Sequence, residues 1–403
     1  MSERRLRLLV LSWNYPTLAA PQRGLWVQRM CSAAAAAADV TVIVPTPWVP
    51  PLVPIPALAR FRRVPRHERQ GAVEVHFPRV PGSIEYHTHA HDAGLAFAQV
   101  LRLARRLHLE RPFDLIHAHF IYPDGVVASR IGRALGIPVM TSEHAFWTPW
   151  LADQPRVATQ VERALPHIHL VTTVSDFLRR SVDDYARGRI ETAVLPNVVD
   201  DSVFRPGPRQ REPAQLLYVG LIRKFKRIDV LLRAVSQARE SLPNLRLRVL
   251  SANAFRAYGS DRREMHDLVE TLGLGEVVSI EPGADPPTVA EAMRRCTFVA
   301  VSSTRRETFC SVAAESLACG TPLVITRCGG PEEFVTEEDG VMVEPDDPSA
   351  FARGIVAAMQ RRQTFDASAM CARIVARFGN KAWCEHAMAT YERVAARGAQ
   401  SVA

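Results

Sequence analysis

The chain has no apolar run approaching the ~20 residues that a membrane-spanning helix needs. Leu8-Leu9-Val10-Leu11 is strand-like and short, and Ala33 to Ala38 is a short stretch of tight packing. Met1 to Arg7 runs straight into that first strand and lacks a secretion-signal pattern, so a cytoplasmic protein is expected. The seven cysteines form no Cys-x-x-Cys pair and have no His ladder beside them. Such a set argues for reduced thiols and against a zinc site or a disulfide frame. Low-complexity tracts and nucleic-acid-binding motifs are missing as well, and the basic residues are spread out, so nucleic acid is not expected as a partner.

What is present is a folded, Arg-rich composition with 47% hydrophobic and 23% charged residues. At 403 residues the chain exceeds one compact core and implies two or three domains. The net charge of +8 fits a solvated basic surface. It fits equally an affinity for anions: nucleotide diphosphates, polyprenyl phosphates or anionic lipid headgroups met peripherally at the inner face of a membrane.

Short apolar runs alternate with helical segments in both halves, the pattern of βαβ units around buried parallel sheets. Leu6 to Ser12 opens the first half, followed by strands at Val40 to Val44, Ala72 to Phe77, Asp114 to Ala118, Pro138 to Thr141, His169 to Thr172 and Thr192 to Leu195. Gln215 to Gly220 opens the second, followed by Leu245 to Leu250, Val277 to Ile280, Phe298 to Val301 and Pro322 to Ile325. Asp200 to Pro213, polar and aperiodic, reads as the linker. The expected architecture is two doubly wound α/β domains, 1–205 and 206–375. A terminal segment, 376–403, carries an amphipathic helix with Trp383, Ala387, Met388, Tyr391 and Val394 on one side, crossing back to the first domain. Pro45 to Pro65 holds seven prolines and then several arginines, and reads as an irregular surface loop, since proline removes a ladder donor and fixes φ.

The densest chemical signal is Arg306-Glu307-Thr308-Phe309-Cys310-Ser311-Val312-Ala313-Ala314-Glu315, continuing to Gly320. The run leaves the carboxyl end of a strand, enters a helix near Ser311 and stops at Gly320. Ligands of open α/β sheets bind at carboxyl strand ends, with phosphates at helix N-termini. The amides around Cys310, Ser311 and Val312 are thus placed to hold a diphosphate. Glu315 lies on the order of 6 Å past Ser311 along the helix axis. One carboxylate can then grip sugar hydroxyls and the other ribose hydroxyls. The second signal is Gly220-Leu221-Ile222-Arg223-Lys224-Phe225-Lys226-Arg227, four cations in a strand-to-helix loop, suited to the charge on a leaving diphosphate.

The first of these runs resembles the glutamate-seven-residues-glutamate signature of the family 4 glycosyltransferases, which have the GT-B fold of two Rossmann-like domains facing across a cleft. Cys328-Gly329-Gly330-Pro331-Glu332-Glu333 and Gly340 to Asp347 are similar to that family's closing motifs. The resemblance, which spans Leu8 to Tyr391, implies a retaining enzyme with a nucleotide-sugar donor, no cofactor and no divalent ion. In keeping with that, no Asp-x-Asp occurs in the chain. It makes Glu307, His144 and Lys226 the catalytic candidates. It makes Gly24, Gly220, Arg223, Lys226, Glu307, Phe309, Cys310, Ser311, Val312 and Glu315 the donor-binding ones. Lys226 matches the family lysine, whereas Leu221 stands where an Arg is usual, with Arg223 or Lys224 as substitutes; Thr308 and Cys310 replace frequent glycines.

In the first half, Asn14-Tyr15-Pro16 leads to a helix at Gly24, resembling the family's first loop. Histidines at strand ends follow: His117, read as a packing residue, His119, read as nearer the cleft, and His144, at the family position that contacts the donor sugar. Asn14, Tyr15, His119 and Tyr122 are expected on the acceptor side. These strand ends are similar to those of exopolysaccharide and teichuronic-acid-type members, which makes a saccharide or lipid-linked saccharide the expected acceptor. Two rivals stand beside sugar transfer: a nucleotide-sugar epimerase on the same fold, and a non-catalytic nucleotide-sugar-binding partner in polysaccharide assembly.

Overall fold

The computed structural model describes residues 4–51, 56–81, 92–146, 151, 153–207, 212–251 and 259–400. It divides into two compact units, Met1–Val198 with Lys381–Ala403, and Val199–Asn380. The sequence placed these divisions at 205/206 and 375/376.

In chain order the first unit comprises β1 (Arg7–Leu11), α1 (Leu25–Ala34), β2 (Asp39–Ile43), β3 (Thr46–Pro47) and α2 (Pro56–Arg62). Then come β4 (His67–Gln70), β5 (Val73–His76), β6 (Arg79–Val80), α3 (Asp92–Glu110), β7 (Leu115–His119) and α4 (Val126–Leu135). It closes with β8 (Val139–Glu143), α5 (Pro155–Ala164), β9 (Leu170–Thr173), α6 (Asp176–Ala186) and β10 (Thr192–Val194). The main sheet runs β10-β9-β8-β7-β1-β2-β5-β4, all parallel except the β4–β5 pair. The central strands β1, β7, β8 and β9 are buried at every position, the burial on both faces that made the interior of the sheet readable in the sequence.

Two expectations need correction. Pro45 to Pro65 is not wholly irregular: Thr46–Pro47 pairs with Arg79–Val80, and Pro56 opens the helix α2. Proline suits a first helical turn, whose N–H has no intrahelical partner. Residues 52–55 lie outside the described residues. The second concerns β4, His67-Glu68-Arg69-Gln70. It was invisible to an apolar-run criterion because it is an edge strand, polar at every position, as exposed edges commonly are.

The second unit holds β11 (Gln215–Val219), α7 (Ile228–Ala238), β12 (Arg246–Ser251), α8 (Gly259–Thr271), β13 (Val278–Pro282) and α9 (Pro286–Arg295). β14 (Phe298–Val301), α10 (Ser311–Ala318), β15 (Leu323–Thr326), β16 (Gly340–Val343), α11 (Pro348–Gln360) and α12 (Ala367–Phe378) complete it. Its sheet order is β13-β12-β11-β14-β15-β16, entirely parallel. The order reverses between β11 and β14, the place where open α/β sheets bind ligands. Asp200 to Phe204, expected as linker, forms a turn with Phe204 buried.

The last helix, α13 (Asn380–Gln400), returns to the first unit. Trp383, Ala387, Tyr391 and Val394 are buried in its core, with Met388 packed against them. The Trp383 indole N–H donates to the Pro196 carbonyl at 2.7 Å. No helix among the described residues is long and apolar enough to cross a membrane, and all seven cysteines are free thiols.

Candidate active site

Because β11 and β14 are neighbours, pairing Leu216 with Phe298 and Leu217 with Val299, the loops at their carboxyl ends must also meet. They are laced by backbone contacts: Thr304 N–H donates to the Phe225 carbonyl at 2.8 Å, and Ser302 Oγ to the Lys226 carbonyl at 2.8 Å. The result joins residues 81 apart in sequence, with Lys226 Nζ donating to Glu307 Oε1 at 2.5 Å. Ser303 Oγ donates to the same oxygen at 2.6 Å. The Lys226 side chain is 22% exposed and that of Glu307 9%. Burial alone pulls the Lys226 pKa down, but the Glu307 charge, with smaller help from Cys310 and Tyr218, carries it above the ordinary lysine value. The ammonium is therefore permanent. It has three N–H donors and spends one on Glu307, leaving two for an anion.

The loop holding Glu307 is pinned from its other side by the turn after β15. Glu307 N–H donates to the Cys328 carbonyl at 3.0 Å, and Gly330 N–H to the Glu307 carbonyl at 2.8 Å. This ladder, absent from the sequence reading, aims Glu307 back toward Lys226. Cys310, at φ 64°, then turns the chain into α10. The first-turn amides Ser311 and Val312 point out of the helix with no carbonyl one turn behind them. Glu315 is buried within α10. The Phe309 side chain is buried and packs against Phe334 and Phe378 at 5.4 and 5.2 Å between ring centres.

The four cations after β11 are not equivalent. Arg227 pairs with Asp229 at 3.0 Å and with Asp346, which commits it to holding the loop. Arg223 precedes the short 3-10 turn Lys224–Lys226, and Arg223 and Lys224 line a cleft with Ile228 and Arg233. Gly220 lies at the mouth of β11 with φ 150°. Residues 252–258, after β12, lie outside the described residues.

In the first unit the loops after β1, β7 and β8 converge. Gly24, at φ 66°, caps α1 so close to the first loop that an added Cβ would sit 2.1 Å from the Asn14 carbonyl oxygen. Asp124 Oδ1 accepts from Trp13 N–H at 2.7 Å and ties that loop to the one after β7. His117 bonds the Tyr391 hydroxyl at 3.1 Å and Ser142 Oγ at 2.7 Å, so both ring nitrogens are satisfied in packing, as its sequence position suggested. His119 Nδ1 and His144 Nε2 lie 3.0 Å apart. Burial lowers both, His144 to about 3, so the pair is neutral near pH 7 and presents hydrogen-bonding edges without charge. Tyr15 and Tyr122 were expected to face an acceptor, but both are buried in the apolar cores. The Tyr15 hydroxyl donates to Gln70 at 3.2 Å. Their aromatic faces fill the interior, and Tyr15 is a packing residue.

Glu143, the neighbour of His144 and not singled out in the sequence, organises this cluster. Its Oε1 accepts from the amides of His144 and Ala145 at 2.9 and 3.1 Å, and its Oε2 from that of Ile121 at 3.0 Å. Burial pushes its carboxyl up to about 7 against the pull of those amides. An unfolded glutamate loses its proton near 4.5. Between about 4.5 and 7 the folded state keeps a proton that the unfolded state has lost, so stability falls as pH rises through that window. Glu143→Gln is expected to flatten this slope by about 1–3 kcal/mol between pH 5 and 8 in denaturant melts. Parallel wild-type and variant curves would remove Glu143 from the pH response.

Two parallel-sheet units, the second with a cationic turn paired to a glutamate at a helix mouth, define the GT-B class of nucleotide-sugar glycosyltransferases. A family model described as "Glycosyl transferases group 1" matches residues 200–374, and one described as "Glycosyltransferase Family 4" matches 24–203. The chain belongs to the family 4 glycosyltransferases. It is 30% identical over 277 residues to a D-inositol 3-phosphate glycosyltransferase of Frankia alni, covering 63% of this chain and 67% of that one. Other curated relatives of the same description are covered over less than two thirds of their length. Among solved structures, sucrose-phosphate synthase from Thermosynechococcus elongatus superposes with a TM-score of 0.77 at 20% identity, over 98% of this chain and 100% of that one. Anabaena HepE in complex with UDP and glucose gives 0.72 at 20% identity, over 96% and 100%.

Proposed function

We propose that the chain is a retaining hexosyltransferase that moves a sugar from a nucleoside-diphosphate donor to a hydroxyl of a saccharide or lipid-linked saccharide, with no divalent ion. The observation that carries this reading is the buried Lys226–Glu307 pair at the mouth of α10. In it a permanent cation, a carboxylate and outward-facing amides share one corner. The diphosphate lies against the Ser311 and Val312 amides, Lys226 and Arg223. Glu307 Oε2, which no hydrogen bond reaches among the described residues, receives sugar hydroxyls, and Glu315 serves the ribose. The bond from the anomeric carbon to the phosphate oxygen breaks as the bond to the acceptor oxygen forms on the same face. The acceptor proton passes to the departing phosphate, whose new charge Lys226 and the helix amides balance. His144 offers a neutral imidazole edge to a sugar hydroxyl. Neither carboxylate acts as a covalent nucleophile, unlike the pair of a retaining glycosidase.

UDP and glucose in the HepE structure support a nucleotide-sugar donor. The curated relatives' description puts a phosphorylated polyol in the acceptor panel beside lipid-linked saccharides. A thermal-shift screen of UDP-, GDP- and dTDP-sugars should show one base class raising the melting temperature by several degrees. Proton NMR of the product made with that donor should then show the donor's anomeric configuration preserved. An inverted product would overturn the retaining assignment. An epimerised sugar from donor alone, with no acceptor present, would move the chain to the isomerase reading.

A further inference from the structure

The β4–β5 hairpin at the edge of the first sheet gathers three ligating side chains. His67 lies directly opposite His76 in the antiparallel register, with ring centres 4.5 Å apart. Glu74 stands two residues before His76 on β5, and strand alternation puts the two on one face. One ligand atom from each of the three lies within 4.8 Å of the other two. His76 is only 9% exposed, and its Nε2 is buried with no hydrogen-bond partner. A buried ring nitrogen without a partner calls for an explanation, and an ion is one of the few that fit. His67 and Glu74 are exposed, so their side chains can turn without disturbing the core.

We propose that His67, Glu74 and His76 bind one divalent transition-metal ion of the zinc class, through two imidazole nitrogens and a carboxylate oxygen. Bonds of ~2.0–2.2 Å in a tetrahedral arrangement set neighbouring ligand atoms ~3.4 Å apart. The hairpin therefore closes by about 1.4 Å at its widest, a rotamer adjustment of the two exposed ligands. Two neutral imidazoles and one carboxylate leave a coordination position open. It faces a cleft of about 770 Å³ walled by Arg66, Arg79, Arg102 and Arg106. Those guanidinium groups, with Arg69 opposite Glu74 in register, oppose a cation. Part of that charge is already committed: Arg79 donates to the Phe77 and Val64 carbonyls, and Arg106 pairs with Glu110 at 3.8 Å. The ion is consequently held less tightly than in a closed structural site. The hairpin is separated from β7 by β1 and β2, ~14 Å along the sheet, so the ion clips the sheet edge apart from the strand that carries His117 and His119.

The test uses the tag-free chain in which His87, His89 and His91 are replaced by Asn, so that these three alternating imidazoles cannot compete for the metal. Titration with Co²⁺ should give one saturable equivalent with visible d–d absorption, displaced by Zn²⁺. His67→Ala and Glu74→Gln should each weaken it about tenfold or more. Zn²⁺ should raise the melting temperature of the parent and leave that of His67→Ala unchanged. His67 is exposed, so this variant keeps its fold even if His76→Ala does not. Equal Co²⁺ affinity in parent and His67→Ala overturns the proposal. So does stabilisation by inorganic phosphate in the absence of any by Zn²⁺, which would make the arginine-walled cleft an anion site.

Discussion

Lys226→Ala is expected to fold and to turn over on the order of 10²–10³ more slowly than wild type, the loss typical of a group that meets charge developing in the transition state. The reason lies in the pair. Glu307 holds the ammonium at 2.5 Å, inside a loop corner where water is largely excluded. In such a place the electrostatic value of one cation exceeds its value at a surface. Removing it takes away the counter-charge for the leaving phosphate and leaves Glu307 buried with only the Ser303 hydroxyl on Oε1. The second effect costs about 1–3 kcal/mol of stability, the range for an unmet polar partner. Denaturant melts measure that loss separately from turnover. Lys226→Met, which keeps the aliphatic stem, should show the same kinetic loss with a smaller destabilisation. Lys226→Ala within threefold of wild-type turnover would remove Lys226 from the chemistry. A donor thermal shift preserved alongside that result would leave the fold assignment standing.

The Lys226–Glu307 contact also marks where the sequence stopped being informative. Parallel strands such as Phe298–Val301 were legible because burial on both faces demands an unbroken apolar run. The Glu307 to Glu315 spacing was legible because its frame of strand, loop and helix is local. The pairing of Lys226 with Glu307 was not, because it follows from β11 and β14 being neighbours, and strand order is not written in any single strand. The same limit hid the His67–His76 pair, whose partners meet only through an antiparallel edge strand with no apolar pattern. The burial of Tyr15 and Tyr122 was hidden for a different reason. A tyrosine beside a loop glycine or proline reads as a surface residue, but each ring supplies core volume that its short loop could not otherwise fill. Glu143 was missed because a carboxylate caught by three backbone amides has no sequence signature.

Gly330→Ala should abolish detectable donor binding in the thermal-shift assay while leaving the first unit folded. A Cβ at Gly330 would stand 2.1 Å from the Thr308 carbonyl oxygen, 2.5 Å from its carbon and 2.9 Å from Phe309 N. All three are backbone atoms, so no side-chain rotation relieves the overlap. The alternatives are to move the Glu307 loop or the turn after β15, and either breaks the Gly330 N–H bond to the Glu307 carbonyl and the Glu307 N–H bond to Cys328. Overpacking of this kind typically costs 1–3 kcal/mol. Here the displaced loop also carries Glu307 and sets the direction of the α10 amides, so the loss in donor affinity should exceed about tenfold. The requirement is for the absent side chain, since Gly330, unlike Gly329, has no positive φ. Gly330→Ser should therefore fail equally, whereas an exposed-position control such as Glu333→Ala should bind donor normally. Wild-type donor affinity in Gly330→Ala would mean that the β14 and β15 loops separate without cost, and that their ladder does not hold Glu307 in place.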